Sequence, residues 1–328
     1  MTSHQRRQIL HIQAMALLEL PSDMFHEVIK RVPWRSRAVS KSFQGIIDQD
    51  ASRIIKMKLD DLSVIPLASR LNVLDITFRF DLVDIRPLAS CTSLTDLNLS
   101  GCIALKDISP LEKCTALTKL NLYGLENLDI NPLSNLMALT DLDLRETSWI
   151  STLAPLAKCT QLQTLDISCS DDLQVYDIGP LAELTQLKYL KTCTIDNIGH
   201  LSRLMALRTF ICSNVPEDIT IFSRLTSLET LSISSRVLMD IRPFTTLLSL
   251  NTLMFASDVL TNINPLTTLS NLEKMTLSCF ELENIRPLTS MTNLKTLYLS
   301  SFRLQDVDIL KEMKSLEFQL ICCPNINN

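Results

Sequence analysis

The chain of 328 residues is 46% hydrophobic and 20% charged, so it has enough apolar side chains for a large core and is not disordered in composition. It contains only 5 glycines, and no two of them are close enough in sequence to form a phosphate-binding loop. The 4 histidines have no metal-binding or catalytic-triad spacing. These features disfavour an enzyme and predict neither a cofactor nor a metal site.

The formal charge of −5 is unevenly distributed along the chain. Residues 1–56 contain nine Lys or Arg and five Asp or Glu, so this segment carries +4 and the remainder carries −9. Because an acidic body is poorly suited to a phosphate backbone, we expect no nucleic-acid partner. The apolar stretch 9–20 is interrupted by polar residues, which predicts neither a signal peptide nor a membrane span. Without a secretion signal, the 10 cysteines are expected to be reduced thiols of an intracellular protein.

The N-terminal part is predicted to contain a tail (1–17), a small helical module (18–50) and a linker or cap (51–60). The first helix of the module begins near Pro21, where Asp23 and Glu27 suit its positive end, and stops at Pro33. Its apolar side chains recur at helical spacing. The segment 36–47 has the same pattern, which predicts a second short amphipathic helix.

Two such helices just before a repeat array resemble an F-box. Residues 20–47 supply nearly all of the family phrase, from its Leu-Pro start to Arg-x-Val-Ser-Lys-x-Phe, but are about four residues shorter after Pro33. The resemblance implies docking of a Skp-type adaptor through Leu20, Pro21, Met24, Val28, Ile29 and Val32. The alternative is that the helices only cap the first repeat, whose leucine face would otherwise be exposed.

From about residue 61 to residue 328, the sequence repeats every 22 residues or so. A proline in the phrase D-I-x-P-L marks most units, and His200, Ile221 and Ile309 replace it in register, giving twelve marks between Pro66 and residue 309. Each unit continues as L-x-x-L-x-L, whose alternating end predicts a short strand, and the proline suits a turn to the opposite, convex side. One unit cannot bury its leucines alone, so we predict an α/β solenoid with one curved parallel sheet.

This phrasing resembles the short leucine-rich repeats of internalins and of phosphatase regulators. Those families have an Asn three residues after the last strand Leu, which ties successive turns together. Here that column contains no Asn and reads Cys102, Leu125, Thr147, Arg236, Asp258, Phe280 and Phe302. Cys at this place is similar to the cysteine-containing repeats of many F-box proteins. Cys91, Cys114 and Cys159 each follow their proline by four residues, where other units have Leu or Met, so we predict buried thiols.

Strand residues that alternate with the leucines should form the concave face of the solenoid. The first half of this face is rich in carboxylates and amides, the middle has cations, and the second half is nearly uncharged. The candidate partner-binding residues are Asp96, Asn98, Lys119, Asn121, Tyr123, Asp141, Asp143, Arg145, Asp166, Lys188, Tyr189, Lys191, Met254 and Tyr298. Such zones suit a protein with a basic stretch beside an uncharged one, although each charged residue taken singly is also consistent with solvated surface. An open sheet lacks the water-excluding cleft that acid–base catalysis requires.

The resemblances imply a substrate-recognition subunit of an SCF-type cullin–RING E3 ubiquitin ligase. The F-box-like module would bind the Skp-type adaptor, and the concave face would hold the protein to be ubiquitinated. The alternative is a non-catalytic leucine-rich-repeat scaffold, internalin-like or phosphatase-regulator-like. Both hypotheses assign no enzymatic chemistry. The first implies a chain that is monomeric before assembly and located in the cytoplasm, or nucleus, of a eukaryotic or host cell.

Overall fold

The computed structural model describes residues 55–56, 71–147, 150–169, 175–195 and 197–324. The predicted N-terminal tail (1–17) and F-box-like module (18–50) lie outside the described residues. Within the described ranges, no helix is both long and apolar enough to cross a membrane.

The described residues form one parallel sheet of fourteen strands, whose order follows the chain except that β7 pairs beside β8. Twelve of the strands follow the twelve sequence marks in order, which confirms the predicted repeat register. The strands are β1 (Ile55–Lys56), β2 (Val73–Asp75), β3 (Asp96–Asn98), β4 (Lys119–Asn121), β5 (Asp141–Asp143), β6 (Thr164–Asp166), β7 (Val175–Tyr176), β8 (Tyr189–Ile195), β9 (Thr209–Asn214), β10 (Thr230–Ser235), β11 (Thr252–Ser257), β12 (Lys274–Cys279), β13 (Thr296–Ser300) and β14 (Glu317–Leu320).

Short 3₁₀ helices, rather than α-helices, connect most of the strands. The described 3₁₀ helices are Arg86–Ser90, Ser109–Lys113, Asn131–Asn135, Ala154–Lys158, Gly179–Glu183, Ile198–Arg203, Thr220–Arg224, Arg242–Thr246, Asn264–Thr268 and Arg286–Ser290. An α-helix of five residues, α1 (Asp308–Glu312), takes this place in the last unit. Most of the 3₁₀ helices carry proline in their first turn, where its missing N–H costs nothing.

The D-I-x-P-L phrase has a structural explanation at each position. In the unit of β3, the backbone N–H of Arg86 donates to the Asp84 carboxylate at 2.9 Å, so the aspartate caps the start of the 3₁₀ helix. Ile85 and Leu88 are buried, and the Leu88 N–H donates to the Ile85 carbonyl. The same cap recurs with Asp, Asn or Thr in the later units. The acidic residue of the phrase therefore has a structural role in stabilising a turn.

The leucine columns form one continuous core between the sheet and the 3₁₀ helices. The predicted burial of Cys91, Cys114 and Cys159 is confirmed, since all three are fully buried in it. In the later units phenylalanines replace some of the leucines. Four buried rings form a chain with centroid separations of 5.9, 5.6 and 6.0 Å, and these are Phe210, Phe222, Phe244 and Phe255.

The solenoid has two halves that leave their strands differently. In the short-strand half (units of β2–β6, 71–169), each strand has three residues, and the strands β2–β5 are each followed by a turn through a positive φ. The turn residues are Phe78, Gly101, Gly124 and Glu146, with φ of 56°, 72°, 74° and 55°. In the long-strand half (units of β8–β13, 189–301), strands have five to seven residues, and no described residue there has a positive φ.

This difference corrects the predicted ladder column. Three residues after the last strand Leu, Cys102, Leu125 and Thr147 are buried, but Arg236 and Phe302 are exposed. In the long-strand half the strand continues for one more pleat, so the residue one position earlier faces the core. These buried residues are Ser235, Ser257, Cys279 and Ser301.

Cysteine and serine take over the role of the missing asparagine. The Cys102 thiol donates to the Ile76 carbonyl at 3.0 Å, one unit earlier in the chain. The Ser257 and Ser301 hydroxyls donate to carbonyls nineteen residues before them, at 2.9 and 2.7 Å. In these three units, successive turns are therefore tied by short side chains that fit inside the core.

Candidate functional site

The face of the sheet that the 3₁₀ helices leave uncovered is the predicted concave face, and its residues lie in two rows set by strand register. The first row runs Asp96, Lys119, Asp141, Thr164 and Tyr189 across β3–β8. The second row runs Asp75, Asn98, Asn121, Asp143, Asp166 and Lys191 across β2–β8. The predicted candidate residues on these strands therefore meet on one surface, while their role in binding remains a prediction.

A groove of about 520 Å³ covers the concave face of the short-strand half. Five carboxylates line it against two cations, so it is net acidic. The charged lining residues are Asp75, Asp96, Asp141, Asp143, Asp166, Lys119 and Arg145. Tyr189 closes the groove toward the long-strand half. An acidic surface of this kind attracts a basic partner, and the attraction weakens with salt.

Most of the Asp and Asn side chains in the second row have a structural task as well. Each accepts the backbone N–H of the residue two positions later, at 2.9–3.2 Å. The acceptors are Asp75, Asn98, Asn121, Asp143 and Asp166. Such caps are needed where a three-residue strand ends and the next N–H leaves the ladder. The residue type of this row therefore reflects the turn, which leaves a partner the second oxygen of each aspartate and the amide NH₂ group of each asparagine.

Arg145 is the best-anchored cation of the groove. Its Nε and Nη2 atoms donate to the Asp143 carboxylate at 3.0 and 2.7 Å, and Nε lies 3.9 Å from Asp166. Its guanidinium lies 5.4 Å from the centre of the Tyr123 ring. Its hydrogen bonds to the Asp143 carboxylate raise the pKa of Arg145 above its ordinary value. Burial, together with the Asp166 carboxylate, raises the pKa of Tyr189. The site is thus a prearranged cluster of two carboxylates, one guanidinium and two phenol rings.

The first row alternates in charge at the other side of the groove. Asp96 and Asp141 flank Lys119 on neighbouring strands, about 4.8 Å apart in a sheet. Each aspartate accepts a hydrogen bond at 2.7 Å from the hydroxyl of the threonine before it. These carboxylates are therefore held in fixed positions and remain partly exposed to solvent.

The long-strand half of the face is nearly uncharged. Met254 and Tyr298 lie two strands apart in the same row and are 47% and 41% exposed, so they offer apolar contact area to a partner. Lys188 lies just before β8 and donates to Gln163 at 2.8 Å, so it belongs to the edge of the sheet rather than to its rows. At the opposite edge, the exposed rings of Phe280 and Phe302 are 5.1 Å apart.

Sequence reasoning missed the first strand of the groove. Val73 and Asp75 lie in register with Asp96 and Asn98 and line the same surface. The strand pattern Leu71-x-x-Leu74-x-Ile76 could have found them, because it places both residues in the outward columns. Residues 71–75 therefore extend the candidate surface by one unit.

The His, Cys, Asp and Glu side chains of the described residues complete the chemistry of the site. No group of three or more His, Cys, Asp or Glu side chains in the described part is arranged to hold a metal ion. Burial raises the pKa of the Cys114 and Cys159 thiols to about 11, and of the Cys279 thiol to about 12, so these are poor nucleophiles at neutral pH.

Comparisons with solved structures identify the fold as a leucine-rich-repeat solenoid. An internalin (InlF) from Listeria monocytogenes is similar with a TM-score of 0.67 and 24% identity, covering 87% of this chain and 82% of that one. A leucine-rich-repeat protein of Leptospira interrogans has a TM-score of 0.63 and 16% identity over 86% and 81% of the two chains. The plant peptide hormone receptor RGFR1, in complex with RGF2, has a TM-score of 0.58 and 15% identity over 78% and 48%. Neither family models nor curated protein sequences gave a match.

Proposed function

We propose that this chain is a non-catalytic protein-binding scaffold that holds its partner on the concave face. The observation that carries the proposal is the groove of the short-strand half, in which five carboxylates and two cations are fixed beside a nearly uncharged surface. A partner segment with Lys or Arg would lie over β2–β6, and an uncharged part with apolar side chains would contact Met254 and Tyr298. One similar structure is a receptor in complex with its peptide hormone, which supports a peptide-like occupant.

The experiment is a comparison of three fluorescein-labelled peptides of equal length. One alternates Lys and Arg with Ser, and the others replace the basic residues with Glu or Gln. Anisotropy titrations should give the tightest binding for the basic peptide, weakening as salt rises from 50 to 300 mM. Raising the salt from about 0.05 to 0.3 M shortens the Debye length, so the attraction between the basic peptide and the carboxylates is screened.

A pair of matched variants locates the binding surface. Asp96→Asn with Asp141→Asn keeps acceptors for the neighbouring threonines but removes two charges, and should weaken binding of the basic peptide about fivefold. Thr230→Asn with Thr252→Asn lies in the same row of the long-strand half and should leave it unchanged. Equal affinity for all three peptides, or equal effects of both double variants, would contradict the proposal.

We also propose a second, more specific role, in which residues 18–50 act as an F-box and join the scaffold to a Skp-type adaptor and a cullin–RING ligase. The sequence phrase at 20–47 is what favours it, and the bound protein would then be the substrate for ubiquitination. Such a role requires a cytoplasmic or nuclear location in a eukaryotic or host cell. The scaffold hypothesis does not require the F-box role. Without that role, the predicted N-terminal helices would serve only as a cap on the first repeat.

Co-purification of the full chain with a Skp-type adaptor tests the F-box hypothesis. Ile29→Asp places a charge in the predicted adaptor-binding stripe and should abolish co-purification, while Ile29→Leu should retain it. Circular dichroism of both variants checks that the solenoid is folded. If the wild-type chain and Ile29→Leu also fail to bind the adaptor, the F-box hypothesis is wrong and the cap interpretation takes its place.

A further inference from the structure

Three cysteines of successive units meet where the short-strand half passes into the long-strand half. Cys169 follows β6, Cys193 lies in β8 and Cys212 lies in β9. The Cys193 sulfur accepts the backbone N–H of Cys169 at 2.7 Å, lies 3.5 Å from the Cys169 carbonyl oxygen, and has the Cys169 thiol as a hydrogen-bond neighbour. The Cys212 thiol instead donates to the carbonyls of Cys193 and Asn214. The Cys193 sulfur therefore lies against Cys169, and these two cysteines are the pair in closest contact among the three.

The backbone geometry of this pair suits a covalent link. Asp166 pairs with Lys191, so Cys169 and Cys193 follow on adjacent strands with an offset of one residue. Adjacent strands lie about 4.8 Å apart, and a disulfide needs Cα atoms roughly 4.4–6.8 Å apart. The spacing of the two units is thus compatible with a link between the two sulfurs.

The two thiols differ in their access to solvent. Cys193 is fully buried, whereas Cys169 is half-buried in the loop after β6. Burial raises the pKa of Cys193 to about 12, so its thiolate is scarce at neutral pH. An oxidant in solution would therefore reach and attack Cys169 first.

We propose that Cys169 and Cys193 form an oxidation site that a hydroperoxide converts into an intramolecular disulfide. The Cys169 thiolate attacks the peroxide, the O–O bond breaks, and the products are a sulfenic acid and an alcohol, or water when the oxidant is hydrogen peroxide. The Cys193 sulfur then attacks the sulfenic sulfur, so that an S–S bond forms and the S–O bond breaks. Hydroxide leaves with the Cys193 proton as water, and two electrons have passed from the thiols to the peroxide.

The disulfide would join two units at the boundary between the charged and the uncharged zone of the concave face. Cys169 follows the strand that carries Asp166, and Cys193 lies two residues after Lys191 on the next main strand. The site stands on these contacts alone and does not depend on the proposed function.

The test uses the full chain with Cys322→Ser and Cys323→Ser, since Cys322 is exposed and Cys323 partly exposed, and both would react without selectivity. After treatment with hydrogen peroxide, free thiols are alkylated and the unreduced protein is digested with trypsin. We expect a cross-link between the peptides 159–188 and 192–203, two hydrogen atoms lighter than the sum of the free peptides. The cross-link should disappear on reduction with dithiothreitol.

Variants assign the cross-link to its sulfurs. Peptide 159–188 also contains Cys159, so Cys169→Ser should abolish the link while Cys159→Ser and Cys212→Ser should retain it. Cys169 is half-buried, so its serine variant is expected to fold, which circular dichroism checks. A link from 192–203 to 209–224, a link that survives in Cys169→Ser, or oxidation of Cys169 to a sulfinic acid without any link would overturn the proposal.

Discussion

The short-strand half and the long-strand half are built from the same 22-residue phrase, yet they differ in how the chain leaves the sheet. In the first, a three-residue strand is followed by a residue with positive φ, such as Gly101 at 72°. In the second, the strand runs on for about three more residues, and the counterparts Ser257 and Cys279 remain paired in the ladder. The backbone conformation at the end of each strand therefore distinguishes the two halves of an otherwise regular solenoid.

The point at which each strand ends also accounts for part of the charge pattern on the concave face. Where the chain turns early, the N–H after the strand needs an acceptor, and Asp143 or Asn121 supplies one. Where the strand continues, the ladder supplies the acceptor, so the same row can contain Met254 or Tyr298. The residue types of the acidic zone and the uncharged zone are thus explained partly by the two backbone geometries and not only by the needs of a partner.

The largest expected difference between the halves lies in their cores. Phe222→Ala removes the centre of the chain of phenylalanine rings and should lower the free energy of unfolding by about 3–5 kcal/mol. Because each repeat contacts only its neighbours, hydrogen exchange should show lost protection mainly in β8–β13. Phe222→Leu is the control and should cost less than about 1.5 kcal/mol. An equal loss of protection in β2–β6 would mean that the halves unfold as one unit.

Substitutions at two glycines of the short-strand half can distinguish the cost of backbone strain from the cost of a steric clash. Gly124→Ala adds a Cβ that makes only an ordinary van der Waals contact, 4.0 Å from the Gly101 Cα, and at φ 74° it should cost about 1 kcal/mol. Gly101→Ala has the same strain, and its Cβ would also meet the Phe78 ring, so it should cost about 2–3 kcal/mol. Urea unfolding measures both. Adding Phe78→Ala to Gly101→Ala should reduce the cost toward that of Gly124→Ala, and no reduction would show that the ring is not responsible.

Alkaline pH tests what the two halves share, since both contain buried thiols. Burial raises the pKa of Cys114 and Cys159 from 9.0 to about 11, so the unfolded chain loses these protons at a lower pH than the folded chain. Their contribution to stability is complete below pH 9 and is lost as the pH rises through about 11, by about 1 kcal/mol per thiol at pH 10.

Urea midpoints between pH 7 and pH 10 measure this loss. Cys114→Ala should make the decline with pH shallower by that amount, whatever it costs at pH 7. The control is Cys322→Ser, which alters an exposed thiol and should leave the decline unchanged. A decline that is as steep in Cys114→Ala as in the wild type would refute the assignment to that thiol.

The smallest expected effect concerns the side-chain caps of the second row. Asn121→Ala removes the acceptor of the Tyr123 N–H and should cost about 1 kcal/mol. Ser232→Ala, in the same row of the long-strand half, should change the free energy of unfolding by less than about 0.5 kcal/mol. Thermal or urea unfolding of the two variants measures the difference. Equal costs would show that the caps do not distinguish the halves.

Much of the fold could be predicted from the sequence because each unit must bury the same columns of apolar side chains. The proline marks gave the order of the strands, and the columns of Cys91, Cys114 and Cys159 predicted their burial, which the structure confirms. The outward strand residues were also expected to share one face, as they do, although Asp75 was missed and Lys188 lies at the edge of the sheet. The F-box-like module at 18–50 stays a prediction.

Periodicity by itself determined that this chain forms a leucine-rich-repeat solenoid, since alternating leucines can be buried only by stacking one unit on the next. Only the tertiary structure decided where each strand ends, because that depends on which neighbouring strand receives the next N–H. Because the strand continues in the long-strand half, the buried ladder position there is Ser235 and not Arg236. Because the strand ends early in the short-strand half, Asn121 is a cap as well as a surface residue. The tertiary structure also brought Cys169 against Cys193, which no spacing in the sequence reveals, since units of unequal length set that register.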